Sequence, residues 1–147
     1  RSVSAFLLNR SSDLEISKGC FAMAGQYFWN RITRRNNLDA FTGSGAYVTV
    51  RGLIKGDGYK YTMNDGGIDT PDAGFMELLF QYNYTSLSDA KSGIHGGYLN
   101  DWTIAYNYYV NKYMIWRIRA SYTKVTGRAN YADNEVSILE TRFQVKF

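Results

Sequence analysis

The chain is poor in the residues that most chemistry needs. It has one cysteine, one histidine and one proline among 147 residues. With Cys20 alone, no disulfide can form within the chain, and no second Cys or His stands beside it to make it a nucleophile. His95 alone leaves no Ser-His-Asp set and no pair of imidazoles for a metal, so the sequence supports neither a catalytic residue nor a metal site. Asp57, Asp65, Asp69 and Asp72 do not have the spacing of an EF-hand loop and read as turn residues. No Gly-rich phosphate loop is present, and no cofactor is expected. The chain also lacks any apolar run near the roughly 20 residues that a membrane-crossing helix requires. Its mean hydropathy is that of a soluble protein. That value does not exclude a transmembrane β-barrel, whose strands are apolar on only one face.

Other features are abundant. Hydrophobic residues make up 45%, too many for a disordered chain. Aromatic residues reach 16%, with 13 tyrosines and 3 tryptophans, residue types that suit a membrane–water boundary. Fourteen glycines with the single proline fit long strands joined by Gly-rich turns. A net charge of +4 and a pI near 9.1 are compatible with nucleic acid, anionic lipid or anionic solutes as partners. The chain starts at Arg1 without an initiator Met or a signal peptide, which suggests a mature chain or a piece of a longer one.

Period-two alternation runs through most of the chain and predicts about seven strands. Residues 2–10 read as a short strand closed by a turn at Ser11-Ser12-Asp13. In 18–33, Phe21, Met23, Gly25, Tyr27 and Trp29 share one face, with Cys20, Ala22, Ala24 and Gln26 opposite. A polar loop is expected to about residue 44. In 46–55, Val48, Val50 and Ile54 alternate with Tyr47, Thr49, Arg51 and Lys55. Residues 56–74 are dense in turn chemistry. In 75–87, Met76, Leu78, Phe80, Tyr82 and Tyr84 alternate with Glu77, Gln81, Asn83 and Thr85. Residues 93–101 read as a flexible loop. Trp102, Ile104, Tyr106, Tyr108 and Val110 then precede a tight turn at 111–113. Trp116, Ile118, Ala120 and Tyr122 alternate with Arg117, Arg119, Ser121 and Thr123. After a loop over 127–135, the closing strand carries Leu139, Thr141, Phe143, Val145 and Phe147 against Ile138, Glu140, Arg142, Gln144 and Lys146.

Each strand is near the roughly 9–11 residues that cross a bilayer when tilted. Short turns are expected at one rim and long loops at the other. The fold class is therefore all-β, a transmembrane antiparallel barrel. Tyr27, Trp29, Trp102, Tyr108, Trp116, Tyr122 and Phe147 are its expected interface aromatics, and Phe147 the terminal mark at the periplasmic rim. On the polar faces, Arg51, Lys55, Arg117, Arg119, Arg142 and Lys146 are the expected pore-lining, anion-binding residues, set against Glu77 and Glu140. Arg117 and Arg119 lie two residues apart on one face, where their heads can share a solute. Structural pairing of each arginine with a neighbouring carboxylate is the competing reading. Two other classes compete with the channel: a non-channel outer-membrane barrel, scaffold or adhesion-type, and a soluble barrel that binds a ligand or nucleic acid.

Three segments resemble the phosphate-selective porin O and P family. Residues 102–122 are similar to its penultimate hairpin, with Asn107, Tyr109 and Asn111 at the places of its Asn, Tyr and turn Asn. The close, 139–147, resembles an "L-x-x-R-x-Q-x-x-F" ending, and 74–84 a "G-A-W-E-L-x-x-R-Y" strand. The likeness covers 18–147 and is strongest from Gly74 onward. Asn111-Lys112 replaces the family's Asn-Pro turn, and Gln81-Tyr82 replaces its Arg-Tyr, which removes one lumen cation. The resemblance implies a trimeric, 16-stranded outer-membrane porin barrel in the bacterial outer membrane, passing phosphate and other small anions, with lipid as its surroundings and no nucleic acid partner. About seven strands over 1–147 are then expected to be a single barrel domain or the C-terminal portion of a larger barrel.

Overall fold

The computed structural model describes residues 8–35, 38–62 and 67–145. Seven long strands form one antiparallel meander: β1 (Leu8–Lys18), β2 (Phe21–Ile32), β3 (Phe41–Lys55), β6 (Met76–Asp89), β7 (Ile94–Asn111), β8 (Met114–Arg128) and β9 (Asn134–Val145). Two short strands, β4 (Tyr61–Thr62) and β5 (Gly67–Ile68), pair as a separate hairpin between β3 and β6. β1 and β9 are the two edges, so the sheet is open. Among the described residues, no helix is long and apolar enough to cross a membrane, which says nothing of strands.

Register aligns the apolar alternation of every strand. Ile16, Met23, Val50, Phe80, Ile104, Ala120 and Leu139 stand side by side, one from each long strand. On the same face, Tyr82 stacks beside Trp102 with ring centroids 5.4 Å apart, and Trp102 beside Tyr122 at 5.8 Å. Tyr108, Trp116 and Phe143 form a second aromatic row near the opposite strand ends. On β7 the rows are six residues apart, roughly 20 Å along the strand.

Burial is inverted relative to a soluble domain. The apolar face is open, with Phe21 71% and Leu139 78% exposed. The buried strand residues Ala22, Thr49, Leu53, Glu77, Thr103, Ala105, Asn107 and Tyr109 all lie on the other face, and the deepest are Glu77 and Asn107. The apolar face is therefore no core, which is what a soluble barrel or sandwich would need.

Several expected boundaries are corrected. No turn occurs at Ser11-Ser12-Asp13: β1 runs through these residues in continuous register with β2. The turn lies at residues 19–20, where Gly19 has φ 57°. Cys20 sits in that turn rather than on a strand face, its thiol 3.7 Å from the Gly56 carbonyl. Residues 94–101, read as loop, belong to β7, because Tyr98 to Asp101 pair with Asn83 to Ser86 on one side and Thr123 to Thr126 on the other. Pairing on both sides outweighs the flexibility of Gly96 and Gly97, and the β6–β7 connection shrinks to 90–93. The expected sorting of connections by rim also changes. The turns at 19–20 and 112–113 share their rim with the longest connection, 56–75. The opposite rim carries 33–40, 90–93 and 129–133.

Candidate solute-facing wall

The polar face is organised around a buried carboxylate. Glu77 of β6 stands beside Asn107 of β7, which stands beside Arg117 of β8, which stands beside Arg142 of β9. Three donors converge on Glu77. The Asn107 amide nitrogen donates to Oε2 at 2.6 Å, the Tyr109 hydroxyl to Oε2 at 2.8 Å, and the Tyr59 hydroxyl to Oε1 at 2.7 Å. A buried carboxylate needs such partners, since removing its charge from water without compensation is costly.

Tyr59 reaches this site from the 56–75 connection, which is tied to the wall at both ends. The Tyr59 amide donates to the Gly19 carbonyl at 2.9 Å, and the Gly74 amide to the Tyr109 carbonyl at 2.6 Å. Gly58 has φ 137°, and a Cβ there would lie 3.1 Å from the Gly19 oxygen, so glycine alone allows this approach without strain. Burial pushes the Tyr59 phenol well above its ordinary pKa, and the hydrogen bond to Glu77 pushes it further. The guanidinium of Arg51, 5.8 Å from the ring centroid, acts in the opposite direction. Farther along the connection, a hydrogen bond to Asp72 raises the ammonium of Lys60.

Each expected lining residue has a definite place. Arg51 crosses over β2, where the inward positions are Ala22 and Ala24, and pairs with Glu15 of β1 at 2.8 Å. Arg119 faces Glu140 across β8 and β9 at 3.8 Å and the Thr103 hydroxyl at 3.5 Å. Arg117 instead donates through Nε to the Asn107 amide oxygen at 2.6 Å. The structure thus turns Arg117 and Arg119 to different partners, and the cation beside Arg117 is Arg142. Neither Arg117 nor Arg142 has a carboxylate within ion-pair distance among the described residues. Lys55 lies beyond a bulge after Leu53 and stands opposite Met76, in register with the aromatic row of the apolar face, away from these arginines. Lys146 and Phe147 fall outside the described residues.

Tyr27, Trp29, Trp102, Tyr108, Trp116 and Tyr122 all occupy the apolar face, with Tyr27 and Trp29 nearer the rim of the 33–40 connection.

Two acidic residues outside the expected strands join the polar face. Besides Glu15, Asp101 accepts from the Asn83 amide at 2.7 Å and the Thr123 hydroxyl at 2.6 Å. The four arginines therefore share their face with Glu15, Glu77, Asp101 and Glu140, and the cation excess expected from alternation alone is not what the described rows show. Tyr59 and the role of Asn107 carried no sequence signal, because both depend on register and on a distant connection folding back. Among the described residues, no group of three or more His, Cys, Asp or Glu could hold a metal ion.

A polar, hydrogen-bonded face backed by an exposed apolar one is the pattern of a transmembrane β-barrel wall. No curated protein gives a significant match to the chain. The family model described as phosphate-selective porin O and P matches residues 14–147. That span covers all of β2 to β9 and the last five residues of β1, and the chain belongs to the phosphate-selective porin O and P family.

Proposed function

We propose that this sheet is an arc of an outer-membrane β-barrel, assembled as a homotrimer, through which small anionic solutes such as phosphate diffuse passively. Closure is supported by the unpaired backbone groups along β1 and β9, which lipid does not tolerate. The 16-stranded size expected of the family leaves a lumen wide enough for water.

The observation that carries the anion preference is the adjacent pair Arg117 and Arg142. Glu15 neutralises Arg51, and Glu140 stands against Arg119. Glu77 is buried and already holds three donors. Asp101 is held by Asn83 and Thr123. Two like charges placed directly across neighbouring strands repel each other. An anion between them relieves that repulsion, and two guanidinium forks suit the oxygens of a phosphate.

Planar-bilayer recordings across a KCl gradient test the reading. The protein should show an anion-selective reversal potential. The double variant Arg117→Ala, Arg142→Ala should lower the chloride-to-potassium permeability ratio by roughly threefold or more, as expected when fixed pore charges are removed. Cation preference in the parent protein, or an unchanged ratio in the double variant, would sink the anion claim. Absence of any conductance would point to the non-channel barrel instead.

A further inference from the structure

Asn107 occupies a position where only one orientation of its amide satisfies both neighbours. On one side stands the Glu77 carboxylate, which accepts; on the other stands the Nε–H of Arg117, which can only donate. The amide nitrogen must therefore point to Glu77 and the amide oxygen to Arg117. Glu77 is itself held in place by the Tyr59 and Tyr109 hydroxyls, and both Glu77 and Asn107 are almost completely buried. The chain of contacts is thus rigid up to the guanidinium of Arg117. With Nε engaged, the two Nη groups of Arg117 carry no hydrogen bond among the described residues, and Arg142 stands beside Arg117 on the neighbouring strand.

We infer that Asn107, oriented by Glu77, is a positioning residue that aims the Nη edge of Arg117 at the passing anion. Resting on the anion reading above, the inference adds the device that sets the direction of its main cation. An arginine free to swing spends its charge on any nearby carboxylate or on water. One clamped at Nε presents a fixed pair of donors to an oxyanion.

The test uses inorganic phosphate as the probe in bilayer recordings, reading both reversal potential and the phosphate concentration that half-blocks chloride current. Asn107→Leu, which keeps the volume but removes both amide contacts, should reproduce most of the shift caused by Arg117→Ala. The half-blocking concentration should rise several-fold. Wild-type behaviour of Asn107→Leu alongside a clear effect of Arg117→Ala would overturn the positioning role alone. No effect of Arg117→Ala, singly or with Arg142→Ala, would overturn the anion reading on which it rests. If Asn107→Leu fails to assemble, Glu77→Met, which removes both the charge and the acceptor, decides by sign. Loss of a fixed negative charge by itself strengthens anion preference, whereas release of the Asn107 amide weakens it. A weakened preference is the expected outcome, and a strengthened one counts against positioning.

Discussion

At the scale of single residues, Tyr59 is the side chain whose placement says most about how the wall is built. It sits in a turn-rich connection, yet its hydroxyl completes the shell around Glu77. Tyr59→Phe removes one donor from a buried carboxylate. We expect a loss of about 1.5 kcal/mol, the low end for a hydrogen bond to a charged group because Tyr59 is only half-buried. Urea unfolding of the refolded protein in vesicles measures it, and a loss near zero would mean that Glu77 is satisfied without Tyr59. The raised pKa of Tyr59 adds a pH dependence. Its folded value lies above that of a free phenol, so its contribution is complete below pH about 10 and is lost as pH rises toward the folded value. Stability should therefore fall more steeply above pH about 10 in the parent protein than in Tyr59→Phe, and absorbance at alkaline pH should show one fewer tyrosine ionising above the ordinary phenol range in the variant.

At the scale of the strand, β7 separates two environments one residue apart. Ile104 lies in the middle of the apolar row that crosses all seven long strands, while Thr103 next to it is buried on the polar face. If the apolar face meets lipid, Ile104→Arg should cost about 2–4 kcal/mol, the range for a cation near the bilayer midplane of a barrel. Ser121→Lys, on β8 and directly opposite Thr103, should cost less than about 1 kcal/mol. Equal costs would mean that the two faces have been assigned the wrong surroundings. The same comparison shows why β7 and β8 were legible in advance. Trp102, Ile104, Tyr106 and Tyr108 alternate with polar or small residues whatever their neighbours do, because facing is a property of one strand. The upper half of β7 was not legible, since Gly96, Gly97 and Asn100 read as loop until β6 and β8 supply hydrogen bonds from both sides.

On the scale of the whole molecule, all connections can be assigned to two rims. The turns at 19–20 and 112–113, the 56–75 connection and the end of β9 share one; 33–40, 90–93 and 129–133 share the other. In an outer-membrane barrel the first rim would face the periplasm. In a Cys20→Ser background, a membrane-impermeant maleimide should label Lys91→Cys on intact cells, whereas Lys112→Cys should react only after the outer membrane is opened. The reverse pattern would invert the orientation. With that orientation, the long 56–75 connection would depart from the usual short periplasmic turns. Its two ends are anchored to the wall, through Gly58–Tyr59 and Gly74.

The sequence by itself determined that this chain is an all-β antiparallel structure with one apolar face, rimmed by Tyr and Trp, and one face bearing arginines. Alternation with period two is written locally, and the apolar face needs no partner strand to be recognised. The family followed from the same local patterns in β6, the β7–β8 hairpin and the closing strand. Only the tertiary structure decided which polar groups meet. Register set Glu77 beside Asn107 and Arg117 beside Arg142, and gave Arg119 to Glu140. A bulge moved Lys55 away from the other cations, and a folded-back connection delivered Tyr59. Facing belongs to a single strand, whereas register belongs to a pair and closure of a connection to the whole sheet. The chemistry of the wall lies in those last two.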